Sequence, residues 1–202
     1  MIDTLIIDLD GVVRHWDSAH FASTVESFGV TREQFAAEAF EAALYEQAMT
    51  GVITAEEWDA EIGRRVNARY GCNPKAVAAA FATMVWSIDE DVLALVQRVR
   101  EAGKAMVALF SNASTRLEAD LESCGADAAF DVIFNSARLG LAKPDPEAFR
   151  TVARALGTEP ERCLFVDDTG PNVEGARAAG MQAEVFRDVA GLRSLLERAG
   201  LL

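Results

Sequence analysis

Two hydrophobic rhythms alternate along most of the chain. Short, nearly unbroken apolar runs, Leu5 to Asp8, Ala105 to Phe110, Phe130 to Asn135, Cys163 to Val166 and Gln182 to Phe186, have the length of strands, and runs of this kind suit strands covered on both faces. Between them apolar residues recur at helical spacing. Each such stretch marks its own end with a glycine, at Glu101-Ala-Gly103, Ser123-Cys-Gly125, Ala155-Leu-Gly157, Ala178-Ala-Gly180 and Arg198-Ala-Gly200, the residue preferred where a helix closes in the left-handed conformation. Strand and helix in regular alternation predict an α/β fold, a doubly wound parallel sheet of about five strands with right-handed helical crossovers.

Residues 14–88 break the alternation. Thr31-Arg-Glu-Gln34 and Thr54-Ala-Glu-Glu57 are capping boxes, and Asn73-Pro74 is an N-cap followed by proline at the first helical position. Phe35, Phe40, Leu44, Trp58, Ile62, Val66, Phe81 and Trp86 fall at helical spacings and are expected to form the interior of a small bundle. The expected organisation is therefore an α/β core from residues 1–13 and 89–202, with a helical insert, free of strands, at 14–88. Gly51, in Thr50-Gly-Val-Ile-Thr54, lies between two of the insert's helices and suits either a plain turn or a loop facing a ligand.

A hydrophobic content of 50% over 202 residues is enough for a full core. The net charge of −13 argues against nucleic acid, which is held mainly through Lys and Arg contacts to phosphate, and against anionic membrane surfaces. It leaves room for a small phosphorylated substrate, since one cation and one lysine can reverse the potential inside a pocket. No apolar stretch reaches bilayer length, and Met1 runs straight into the first strand without a basic and apolar leader, so a cytoplasmic location is expected. Cys72, Cys124 and Cys163 are odd in number and lack metal-ligand spacing, which favours reduced, buried thiols. The oligomeric state is not legible.

Candidate chemistry collects at the ends of the strands. Asp8 and Asp10 are two apart after the first apolar run, so their side chains share a face. Ser111-Asn112 follows the second run, Lys143 stands in Leu141-Ala-Lys-Pro-Asp-Pro146, and Asp167-Asp168 follows Leu164-Phe-Val166. Carboxyl ends of parallel strands lie along one edge of the sheet, where ligands of open α/β folds bind. Carboxylates from two strands are hard ligands suited to Mg²⁺. An Asp can attack phosphorus covalently, a second can move protons, and a hydroxyl with an ammonium can hold phosphoryl oxygens.

The ordered set Asp8-Leu-Asp-Gly-Val-Val13, Ser111-Asn112, Lys143-Pro-Asp-Pro146 and Val166-Asp-Asp168 with Thr169-Gly-Pro-Asn172 resembles the haloacid dehalogenase superfamily, in the subgroup with a helical cap after the first motif. The resemblance implies a Rossmann-like core and Mg²⁺. It implies Asp8 as nucleophile, Asp10 as general acid/base with its carbonyl on the metal, and Ser111 with the backbone of Asn112 on the phosphoryl group. Lys143 would orient nucleophile and phosphate, Asp168 would ligate the metal, and Asp167 would stand beside it in the metal shell. Asp10 favours a phosphatase over a dehalogenase, because an ester to carbon needs no protonated alcohol leaving group. A phosphomutase on the same scaffold is the alternative; a phospho-receiver protein without turnover would order its acids differently along the chain. Asn172 replaces a common acidic residue and is an orienting candidate. Arg14-His15-Trp16 replaces the usual acidic segment after the first motif, and Arg14 is a candidate substrate contact.

Overall fold

The computed structural model describes residues 1–202. β1, Thr4–Ile7, is followed after a tight turn by a short strand β2, Arg14–Trp16. Five helices come next: α1 Ser18–Glu26, α2 Arg32–Ala39, α3 Ala42–Met49, α4 Ala55–Tyr70 and α5 Pro74–Ala82. A third strand, β3, Trp86–Ile88, leads into α6, Glu90–Ala102. The rest alternates as β4 Met106–Ser111, α7 Leu117–Cys124, β5 Val132–Asn135, α8 Ser136–Leu139, α9 Pro146–Leu156, β6 Cys163–Asp167, α10 Gly170–Ala178, β7 Gln182–Val185 and α11 Val189–Arg198. No helix is long and apolar enough to cross a membrane.

β1, β4, β5, β6 and β7 form one parallel sheet in the order β5-β4-β1-β6-β7, the fold class that the apolar runs imply. Successive side chains of a strand face opposite ways, and the packing follows that rule. Leu5, Ile7, Val107, Leu109, Leu164 and Val166 meet α6, α7 and α11 on one face. Ile6, Ala108, Phe110 and Phe165 meet α9 and α10 on the other. Each fully buried side chain of this size contributes about 1.5–3 kcal/mol, so the three central strands are pinned in register from both sides. That pinning fixes where their carboxyl ends stand.

The insert buries its own cluster, including Phe35, Leu44, Trp58, Ile62, Val66 and Val77. Both capping boxes form, as does the Asn73 cap. Three local expectations are corrected. Residues 14–88 do contain strands: β2 and β3 pair antiparallel, Arg14 opposite Ile88 and Trp16 opposite Trp86, so the insert leaves and re-enters the core through a two-stranded ribbon. Trp86 therefore lies on a strand, not in a helical interior, and Phe40 is exposed. Cys124 is exposed too, whereas Cys72 and Cys163 are buried, all three as free thiols. Gly51 rests against the core: it has φ +71°, and a Cβ there would overlap the Ala137 carbonyl. Side-chain-free backbone is what lets the insert approach α8 so closely.

Candidate active site

The three central strands end side by side. Asp8 follows β1, Ser111 closes β4 and Asp167 closes β6, and the Asp8 amide donates to the Val166 carbonyl at 2.9 Å, carrying the ladder one residue past β1. Lys143 arrives from the loop before α9. Its position is set by a reciprocal pair in which the Lys143 amide donates to Asn112 Oδ1 at 2.8 Å and Asn112 Nδ2 donates to the Lys143 carbonyl at 2.7 Å. The Asn112 side chain is thus committed to holding Lys143.

Lys143 Nζ lies 2.7 Å from Asp8 Oδ1 and 2.7 Å from Asp167 Oδ2, with the rings of Phe110 and Phe165 on the sheet side at 5.5 and 5.4 Å. Burial pushes the Asp8 carboxyl up to about 8, against the lowering charge of Lys143 and with a further rise from Asp167. Burial acts on Asp167 in the same direction, but there the charge of Lys143 and the bonds from Lys143 and Thr169 win, and its carboxyl is held below the usual range. Asp167 is fully satisfied: Thr169 donates from its amide and hydroxyl to Oδ1, and Asn172 Nδ2 reaches both oxygens at 3.0 and 2.9 Å. Its oxygens are turned to Lys143, Thr169 and Asn172.

Asp168 differs. It is exposed, and carboxylate oxygens of Asp8, Asp167 and Asp168 all lie within 4.8 Å of one another. Partial desolvation at the rim of the site and the charge of Asp167 push its carboxyl up. A Cβ on Gly11 would overlap Asp168 Oδ2, and Gly11 has φ +81°, so glycine in the turn after β1 makes room for this carboxylate. Two hard carboxylates, Asp8 and Asp168, converging at a polar opening fit Mg²⁺, which takes few protein ligands and keeps waters. Ser111 Oγ is buried and has no hydrogen-bond partner. An uncompensated hydroxyl of this kind is expensive in a folded protein, and it faces the same cavity of about 310 Å³ as Lys143, Asp8, Asp10 and Asp168.

Asp10 marks the far side of that cavity. Arg14 donates to both its oxygens, at 2.7 and 3.0 Å, and Trp16 Nε1 donates to Oδ1 at 2.8 Å. Arg14 also donates to Asp120 at 3.0 Å and lies against the Trp16 and Trp86 rings at 4.6 and 5.6 Å. Its charge is met by two carboxylates, and it is buried. His15 turns away, with Nε2 3.6 Å from Asp89. Three contributors carry no sequence signal. Tyr45 lines the acidic cavity and a second, adjoining one; burial and then the charges of Asp10 and Asp8 push its phenol up. Asp120 pairs with a residue 106 positions away. Asp59 of α4 pairs with Arg116 at the start of α7, and Thr115 Oγ1 accepts from the Ala55 amide at 2.9 Å, so the insert is fastened to the core beside the site.

A parallel sheet with an acidic cluster at its carboxyl edge and a helical insert after the first strand defines an α/β enzyme of hydrolase type. The chain belongs to the haloacid dehalogenase-like hydrolases, whose family model matches residues 2–180. Phosphatase MT3486 of Mycobacterium tuberculosis is 35% identical over 122 residues, 54% of this chain and 56% of that protein. The chain thus spans little more than half the length of this relative. The GMP/IMP nucleotidase YrfG of Escherichia coli is 24% identical over 189 residues, 90% of this chain and 81% of its own. Among solved structures, the magnesium complex of the HAD family enzyme BT-2542 from Bacteroides thetaiotaomicron superposes with a TM-score of 0.76 at 25% identity, covering 95% of this chain and 98% of that one.

Proposed function

We propose that the protein is a Mg²⁺-dependent phosphatase that hydrolyses a small phosphorylated metabolite through an aspartyl-phosphate on Asp8. The observation that carries this reading is Ser111 Oγ: a buried hydroxyl without a partner, in a cavity that also holds a buried ammonium and three carboxylates. A tetrahedral oxyanion supplies the missing acceptor. The phosphatase and nucleotidase names of the two relatives agree with it.

In this mechanism an Asp8 oxygen attacks phosphorus, the ester P–O bond breaks, and its electron pair leaves with the alcohol oxygen, which takes a proton from Asp10. Asp10 then accepts a proton from water as that water attacks the same phosphorus, freeing inorganic phosphate and the Asp8 carboxylate. Ser111 donates to one phosphoryl oxygen, and Lys143 neutralises another while holding Asp8 in line. Asp168 with Asp8 and the Asp10 carbonyl would hold Mg²⁺, which supplies further neutralisation of phosphoryl charge. Asp167, which Asn172 holds, positions Lys143 and stands beside the metal ligands. Arg14 holds Asp10 as its carboxylate, the form that accepts the proton from water; to serve first as the acid, Asp10 takes up a proton and gives up one Arg14 contact. Residues 14–88 act as the cap over the core of 1–13 and 89–202, excluding bulk water.

Release of inorganic phosphate from a panel of phosphomonoesters tests the proposal. Turnover should need Mg²⁺, stop on EDTA, and disappear in Asp8→Asn. A folded Asp8→Asn protein with full turnover would remove Asp8 as nucleophile. Asp10→Ala should slow poor leaving groups more than good ones; equal slowing would remove it as the acid.

A further inference from the structure

The acidic cavity adjoins, beside Asp10, Tyr45 and Asn112, a second cavity of about 320 Å³ that lies between the insert and the core and opens to solvent. Its walls are aromatic: Trp16 and Trp86 from the ribbon, Phe40, Tyr45, Trp58 and Phe81 from the helices. Several of these rings meet edge to face, as Trp58 and Phe81 do at 5.2 Å and Phe40 and Trp58 at 6.1 Å. Phe40 keeps nearly half its surface accessible, 46%, although it is large and apolar. Phe40 thus packs on neighbouring rings and still offers apolar surface to the cavity that it lines.

The charged side chains of this cavity are already paired. Arg14 is taken by Asp10 and Asp120, and Arg116 by Asp59. No cation is left over to recognise a second phosphate or a carboxylate on the substrate. Asp10 stands where the two cavities meet, so an ester oxygen beside Asp10 would have its phosphoryl group on the Lys143 side and its carbon skeleton on the aromatic side.

Resting on the phosphatase reading above, we infer that the substrate is a phosphomonoester of an uncharged, apolar alcohol, whose hydrocarbon part fills the aromatic cavity. At about 30 Å³ of liquid volume per water the space holds about ten waters, which an apolar group of similar size would release.

Four esters separate the possibilities: hexyl phosphate and naphthyl phosphate against glycerol phosphate and ribose phosphate, each with Mg²⁺. Both apolar esters should exceed both polar ones by tenfold or more in kcat/KM. Hexyl phosphate is the stricter comparison, because its leaving group is as poor as that of glycerol phosphate and no intrinsic reactivity favours it. Adding methylenes from butyl to hexyl should raise kcat/KM about two- to fourfold each. Whichever of hexyl and naphthyl phosphate is preferred tells an aliphatic alcohol from a flat aromatic one. All three tryptophans of the chain line this cavity, so binding has a readout independent of turnover: hexyl phosphate should shift tryptophan emission to the blue in the Asp8→Asn protein, and glycerol phosphate should not. Phe40→Asp, at an exposed position, should narrow the hexyl-to-glycerol ratio of kcat/KM at least tenfold.

Equal turnover of hexyl and glycerol phosphate, with no emission shift, would discard the apolar substrate and keep the phosphatase. An emission shift with hexyl phosphate but no hydrolysis of any ester would keep the cavity assignment and discard the phosphatase.

Discussion

Replacing Lys143 by methionine removes an ammonium from between two carboxylates and leaves its apolar stem. At 2.7 Å from both Asp8 and Asp167, each contact is worth about 6 kcal/mol of gross attraction at an effective dielectric of about 20 when its carboxyl is ionised. Most of that is offset by the several kcal/mol needed to dehydrate the ammonium, and removing one partner of a buried pair leaves a net loss of about 3–5 kcal/mol. For a chain of this size the melting temperature should fall by about 6–20 °C. The size of the loss depends on pH, with a definite sign. The Asp8 carboxyl stands raised, at about 8, in the folded protein, so the folded state holds a proton that the unfolded chain gives up in the ordinary carboxylate range. Wild-type stability should therefore decline as pH climbs towards 8. Below 8 the protonated Asp8 needs no charged partner and Lys143→Met leaves one buried charge without its cation, at Asp167; above 8 it leaves two. The check is urea or thermal unfolding in EDTA at pH 6 and pH 9, with a larger loss expected at pH 9. Turnover with Mg²⁺ should fall about 10²–10³-fold, as for loss of one charge-stabilising donor. A variant that melts within 2 °C of wild type at both pH values would refute the ion-pair account.

Ser111→Ala should separate stability from activity. Its hydroxyl has no partner, so deletion should leave the melting temperature unchanged or raise it, since a buried unsatisfied group costs about 1–3 kcal/mol, while kcat/KM falls by tenfold or more. Gly11→Ala would drive a Cβ into Asp168 Oδ2; the Mg²⁺ concentration for half-maximal turnover should rise at least tenfold, and unchanged Mg²⁺ activation would exclude Asp168 as a ligand. Thiol labelling at pH 8 should modify Cys124 in the folded protein and spare Cys163, whose thiol is pushed up to about 12 by burial. Buried and held as the thiol at that pH, Cys163 should be labelled only as the protein unfolds.

The sheet was legible because its signals are local. An apolar run such as Leu164-Phe-Val166, bounded by acids, has few readings besides a covered strand, and Gly103, Gly125 and Gly157 occupy left-handed helix caps where a side chain would be strained. The placement of the acids, Ser111 and Lys143 along one edge was legible for the same reason, since each lies at or just past the end of a strand or beside a proline. The ribbon was not. Arg14-His-Trp16 and Trp86-Ser-Ile88 are too short to alternate visibly, and each becomes a strand only by pairing with the other across the insert. Asp167 shows a second limit: adjacent to Asp168 in sequence, it points into the protein and bonds Lys143, Thr169 and Asn172, a direction that strand alternation permits but does not assign. The aromatic cavity shows a third. Helical spacing puts Phe40, Trp58 and Phe81 each on an apolar face of its own segment, and says nothing about whether those faces meet another helix or a space against the core.

The segment from Asp8 to Trp16 then joins features that the sequence presents separately. It carries the proposed nucleophile, the proposed acid, the arginine that holds that acid, and a tryptophan that both bonds Asp10 and walls the apolar cavity. Arg14 and Trp16 also belong to β2, one half of the ribbon through which the insert is attached. Any movement of the insert about that ribbon must displace Trp16 and Arg14, and with them three hydrogen bonds to Asp10. Fastening of the insert through Asp59 to Arg116 and Ala55 to Thr115 stabilises the same arrangement from the opposite side. On the proposed mechanism, then, the position of the insert and the orientation of Asp10 should change together, because Arg14 and Trp16 belong to the ribbon and bond Asp10.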